Sequence, residues 1–95
     1  MVVGVLELEL LLHGPQNLKE KRAIIRKLLA RLRNRFPVSA AETGQHDSWQ
    51  RSRLGLAIVG VDAGDIERLF ERIEDEISSS GLAELGPRSA ELLHY

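Results

Sequence analysis

Cysteine is absent from the 95 residues, which excludes disulfides, thiolate metal ligands and thiol nucleophiles. Aromatic side chains are nearly as scarce, with two phenylalanines, one tryptophan and one tyrosine, so few residues can stack against a planar ligand. No apolar run approaches the ~20 residues that a membrane-spanning helix needs. Neither a glycine-rich phosphate loop nor a nucleophile elbow occurs around Ser48, Ser52 or the run Ser78 to Ser80. The opening MVVGVLELELLLHG has no basic start and carries Glu7 and Glu9 within its apolar run, unlike a secretory leader. The expectation is a cytoplasmic protein with no membrane partner, no catalytic residues, no cofactor, no metal and no identified small-molecule substrate.

What is present is an ordinary globular composition, 43% hydrophobic and 28% charged, in a length suited to one domain spanning residues 1–95. The net charge of −1 argues against bulk attraction to nucleic acid, but the charges are sorted by segment. Residues 18–36 hold eight basic side chains and a single acid, Glu20, whereas residues 62–77 hold seven acids against Arg68 and Arg72. One segment is a cationic element and another is anionic.

The residue periods predict the elements. VVGVLELELLL alternates with Leu6, Leu8, Leu10 and Leu12 on one face, the pattern of a strand with one core side. Gly14 and Pro15 end it. Asn17 followed by Glu20 is the signature of a helix N-cap with its capping-box partner, and Leu18, Ile25, Leu28, Leu29, Leu32 and Phe36 then form one apolar stripe at ~100° per residue, stopped by Pro37. VSAAET predicts a short second strand and RLGLAIVGV a third, joined as a hairpin through ETGQHDSWQRSR. Asp62 caps a second helix carrying Ile66, Leu69, Phe70, Ile73 and Ile77, which ends at SSSG. The tail RSAELLHY, after a Gly86–Pro87 turn, predicts the fourth strand. The order βαββαβ predicts an α+β, ferredoxin-like domain: a four-stranded antiparallel sheet with two helices packed on one face.

The residues NLKEKRAIIRKLLARLRNRFPVSAAE and HDSWQRSRLGLAIVG resemble the YlxP-like family of small bacterial proteins of unknown function. The resemblance covers most of the chain. Its markers are LKEKR (Leu18 to Arg22), Glu42, Asp47 and the run Trp49 to Arg51; Asn17 stands where the family pattern has serine, and both are good N-caps. The resemblance implies a ferredoxin-like fold and a connection with translation initiation or ribosome maturation, and it implies no reaction.

Lys19, Lys21 and Arg22 fall in the first turns of a helix, where the macrodipole disfavours cations. In an antiparallel helix pair the end of helix two, with Glu74, Asp75 and Glu76, would lie beside them and neutralise them. The alternative is an anion or RNA backbone held at the helix start. Lys19, Arg22, Arg26 and Arg33 share one flank beside the apolar stripe, a basic ridge if that flank faces away from helix two. Lys21 lies nearer the stripe and is expected to snorkel along the core edge. If strand three begins before Arg53, then Trp49, Arg51 and Arg53 face the open side of the sheet, where RNA-recognition folds of this topology stack bases. Glu7 and Glu9 on the same side oppose that, and they read as ordinary solvent-facing alternation. His13 and His46 reach the same end of the sheet as Asp47 without metal-ligand spacing, and His94 belongs to the last strand.

Two functional expectations follow. One is a non-enzymatic accessory of translation that contacts ribosomal RNA or a ribosomal subunit through Lys19, Arg22, Arg26 and Arg33, with Trp49 and Arg51. The other is a protein-interaction module, most simply a homodimer covering the open sheet face through Val3, Val5, Ala57, Val59, Leu93 and Tyr95.

Overall fold

The computed structural model describes all residues from Met1 to Tyr95 and has the order β1 (Val2–Leu11), α1 (Leu18–Arg35), β2 (Ser39–Gly44), β3 (Arg51–Gly60), α2 (Ala63–Ser80) and β4 (Glu84–His94). The strands form one antiparallel sheet in the order β2-β3-β1-β4. This is the α+β, ferredoxin-like arrangement that the residue periods predict.

The alternation in β1 decides which face is covered. Leu6, Leu8, Leu10 and Leu12 point under the helices and are buried, as are Leu54, Leu56 and Ile58 of β3. Ile25, Leu28 and Leu32 of α1 and Ile66, Phe70, Ile73 and Ile77 of α2 close the core from above. Gly4 marks where α2 presses closest, since a Cβ there would collide with Ile66 and would stand 2.8 Å from the Phe70 ring.

The helix ends follow capping chemistry. Asn17 Oδ1 accepts from the Glu20 amide at 2.9 Å, and the Glu20 carboxylate accepts from Gln16 N rather than from the cap residue's own amide. Asp62 Oδ1 accepts from the Asp65 amide at 3.0 Å, and α2 stops at Gly81, whose φ of 72° is left-handed and favours glycine. In one place the sequence misled: Gly86 and Pro87 are not a turn before β4 but lie within it. The β1–β4 register shifts there, between Leu8 and Leu10, and a bulged edge strand is where proline is tolerated because its missing N–H is not needed by a neighbour.

Candidate functional site

α1 and α2 are antiparallel but offset. Ile24 of α1 lines a groove with Gly81 and Leu82, just past the end of α2. Farther along, Arg31 Nε donates to Glu76 Oε1 at 2.7 Å, Arg35 bonds the same carboxylate, and the Arg72 guanidinium lies 5.6 Å from the centre of the Phe36 ring. The first turns of α1 therefore extend beyond α2. This overturns the expectation that Glu74, Asp75 and Glu76 neutralise the start of α1: Glu76 serves Arg31 and Arg35, and Glu74 accepts from Arg88 of β4 at 2.5 Å.

The flank carrying Lys19, Arg22, Arg26 and Arg33 faces away from α2. On the opposite flank Arg31 and Arg35 meet Glu76, while Arg33 Nη2 donates to the Ala40 carbonyl of edge strand β2 at 2.5 Å. Arg33 is thus tied to the sheet edge. Lys19, Arg22 and Arg26 are exposed and make no ion pair, and neither does Arg51, although Arg31, Arg35, Arg53, Arg68 and Arg88 all have carboxylate partners.

Lys21 does not snorkel. Its side chain is fully buried, with Nζ 2.7 Å from Glu42 Oε2 and donating to the Gln45 carbonyl at 2.8 Å. The same Glu42 oxygen accepts from Ser52 Oγ at 2.6 Å, and Ser52 is also buried. At ~100° per residue Lys21 falls inside the stripe of Ile25, Leu28 and Leu32, not at its edge. Glu42 shares its inward parity on β2 with buried Ala40. Two opposite charges at inward positions were the available signal of a buried pair. Such a pair persists where further hydrogen bonds satisfy its remaining valences, and no buried side-chain nitrogen or oxygen here lacks a partner.

This pair fixes the β2–β3 loop. Gln45 has a left-handed φ of 60°, unusual for a residue with a Cβ, and its carbonyl accepts from both Lys21 Nζ and Ser48 N. Ser48 Oγ accepts from Arg51 N at 3.1 Å, and Gln50 O accepts from Leu12 N at 2.8 Å. His46 Nε2 lies 3.1 Å from the Glu42 carbonyl oxygen. Trp49 sits on this anchored loop, outside β3, which begins at Arg51. The parity that would set Trp49 on the open sheet face does not apply, and the residue is 47% exposed beside a small cleft that it lines with Asp47, Ser48 and Gln50.

On the open face Arg53 lies opposite Glu9 and donates to it at 2.6 Å, with Glu7 at 4.0 Å. The Glu9 hydrogen bond and charge, with Glu7 adding to them, raise the Arg53 pKa above its ordinary value. That cation is committed within the molecule. Elsewhere on this face Val3 pairs with Val59 and Leu93 and Val5 with Ala57, while the exposed Glu91 stands opposite Val5 and Ser89 opposite Glu7. Val5, Ala57, Val59 and Tyr95 are exposed, and Val3 and Leu93 are partly so. His13 is bonded to Glu84 at 2.8 Å, and no three His, Asp or Glu side chains converge on a point where a metal could be held. No helix is long and apolar enough to cross a membrane.

Residues 3–87 match the model of a family described as "Protein of unknown function (DUF503)". The chain belongs to this family. An uncharacterised relative, YlxP of Bacillus subtilis (strain 168), is 36% identical over 72 residues, covering 76% of this chain and 78% of the relative. Family membership therefore agrees with the resemblance read from LKEKR, Glu42, Asp47 and Trp49 to Arg51. Among solved structures, SnoaB, a cofactor-independent oxygenase from Streptomyces nogalater, superimposes with a TM-score of 0.51 over 99% of this chain and 92% of its own, at 10% identity. That likeness concerns the fold alone. The DUF503 assignment supplies no reaction, and the arrangement around Lys21 is closed to solvent, leaving the loop and the unpaired cations as the accessible chemistry.

Proposed function

We propose that this DUF503 protein is a non-enzymatic RNA-binding accessory of translation that grips phosphates with Lys19, Arg22 and Arg26. The carrying observation is that these three cations lie on one exposed flank of α1 without an ion-pair partner. Cations left unpaired on a helix flank are the groups that neutralise a phosphate backbone. The acids lie elsewhere, with Glu67, Glu71 and Glu74 lining the cleft between α2 and β4, so the near-neutral chain still presents a basic side. The YlxP-like resemblance supports the direction toward translation.

The test compares binding to small ribosomal subunits and to a ribosomal RNA fragment for the wild type, a Lys19→Ala/Arg22→Ala/Arg26→Ala variant and an Arg31→Ala/Arg35→Ala variant. All three are first shown to be folded by circular dichroism. Loss of affinity in the first variant and retention in the second is expected, because Arg31 and Arg35 are occupied by Glu76. Equal losses, or no binding by the wild type, would contradict the assignment.

A second reading rests on the open sheet face. The contiguous group Val3, Val5, Ala57, Val59, Leu93 and Tyr95 is a surface that a second copy of the chain can cover. The expected outcome is a dimer by light scattering that Leu93→Glu converts to monomers. A monomeric wild type removes this reading and leaves the RNA assignment intact, since the α1 flank does not belong to the sheet face.

A further inference from the structure

RNA-binding domains of this topology place their aromatic residues on the open sheet face. Here the central strands offer Glu7 and Glu9 on β1 and Arg53, Gly55, Ala57 and Val59 on β3 at those positions. The one tryptophan is instead displayed by the β2–β3 loop. Keeping a large ring about half exposed costs solvation free energy, yet this loop is held tightly in that state. Lys21 Nζ binds Gln45 O from beneath, Leu12 N, just past β1, binds Gln50 O, and Arg51 N binds Ser48 Oγ across Trp49 itself. A ring carried on a fixed backbone has only its own side-chain torsions left to order when it acquires a ligand.

The surroundings narrow the ligand. Lys21 ties the loop to the turns of α1 that carry Lys19 and Arg22, and Arg51, two residues from Trp49, has no ion-pair partner. The cleft beside Trp49 measures about 230 Å³, below the ~300–1,000 Å³ usual for a complete small-molecule site, so it suits one planar group of a larger ligand. Asp47 lines the same cleft and repels a phosphate placed directly on the ring, while its carboxylate can accept from an amino edge of a base, as Ser48 and Gln50 can donate or accept.

We propose that Trp49, framed by Asp47, Ser48 and Gln50, is a stacking site for one unpaired nucleobase, so that the RNA bound by this protein is single-stranded at that point. The inference rests on the reading of Lys19, Arg22 and Arg26 as phosphate contacts and adds the class of RNA. Phosphates flanking the stacked base run toward Arg51 on one side and toward the α1 flank on the other. Lys21 and Glu42 act as positioning residues, buried beneath the loop and out of contact with the ligand.

Because Trp49 is the only tryptophan, its intrinsic fluorescence reports on this site alone. The experiment titrates the full chain with an oligoadenylate of about a dozen nucleotides, a length in the usual range for single-strand sites, and with the same strand paired to oligouridylate. Quenching by the single strand and little change with the duplex are expected. Trp49→Ala should weaken single-strand binding about five- to hundredfold, the usual loss for one stacked base, while Trp49→Phe retains most of it. If Trp49→Ala binds the single strand as the wild type does, or if the duplex is preferred, the stacking site is wrong. Retained loss of binding in the Lys19/Arg22/Arg26 variant would then leave the phosphate assignment standing. If the wild type binds neither RNA, both readings fail together.

Discussion

Lys21 is the one charged residue buried in the core. Its carbons lie in the apolar core, and its ammonium is held by Glu42 and the Gln45 carbonyl with no exposure to solvent. Lys21→Met keeps the bulk but leaves the Glu42 carboxylate without its counter-charge, and Glu42 is itself only 15% exposed. Breaking a buried pair from one side costs about 3–5 kcal/mol, and the slight exposure of Glu42 places this case near the lower bound. Urea denaturation should show that loss, and the double variant Lys21→Met/Glu42→Leu should recover much of it because no lone charge remains. A single variant as stable as the wild type would mean the pair is not closed to water. The charge of Lys21 was legible as a departure from the stripe of Ile25, Leu28 and Leu32. The inward parity of Glu42 on β2 was legible too, but that the two charges meet was not, because the contact spans 21 positions and joins a helix to an edge strand, a pairing that no local period encodes.

At the scale of elements, close approach of α2 to β1 depends on Gly4, where a methyl group would press on Ile66 and Phe70. Gly4→Ala should destabilise the fold by about 1–3 kcal/mol, as overpacking does, read from the urea midpoint with the slope unchanged; an unaffected midpoint would show that α2 moves freely on the sheet. Element order, caps and core faces were all readable because each rests on local signals: alternation in β1, Asn17 and Asp62 as caps, Gly81 as a stop. The relative shift of the two helices was not readable. It is set by where side chains interdigitate, and it decides that Glu76 meets Arg31 and Arg35 while Lys19 and Arg22 are left without partners. The position of Trp49 failed for a related reason. Strand parity was carried two residues past the point where β3 begins, into a loop whose path is fixed by the left-handed Gln45 and by tertiary hydrogen bonds.

Across the whole molecule, the charge separation in the sequence becomes a spatial one. Acids of α2 pair with Arg31, Arg35, Arg68 and Arg88 or line the clefts beside α2, whereas Lys19, Arg22 and Arg26 share the far flank of α1 with no ion pair and Arg51 stands unpaired at the β2–β3 loop. A net charge of −1 conceals this polarity, so total charge does not describe the surface on which the proposed RNA contact rests. The most direct test is the slope of log affinity against log salt for a single-stranded RNA, measured between about 50 and 200 mM for the wild type and for the Lys19→Ala/Arg22→Ala/Arg26→Ala variant. Each lost phosphate contact lowers a single-strand slope by about 0.7, so the variant slope should be shallower by about two. Equal slopes, or an affinity of the wild type that does not change with salt, would contradict it.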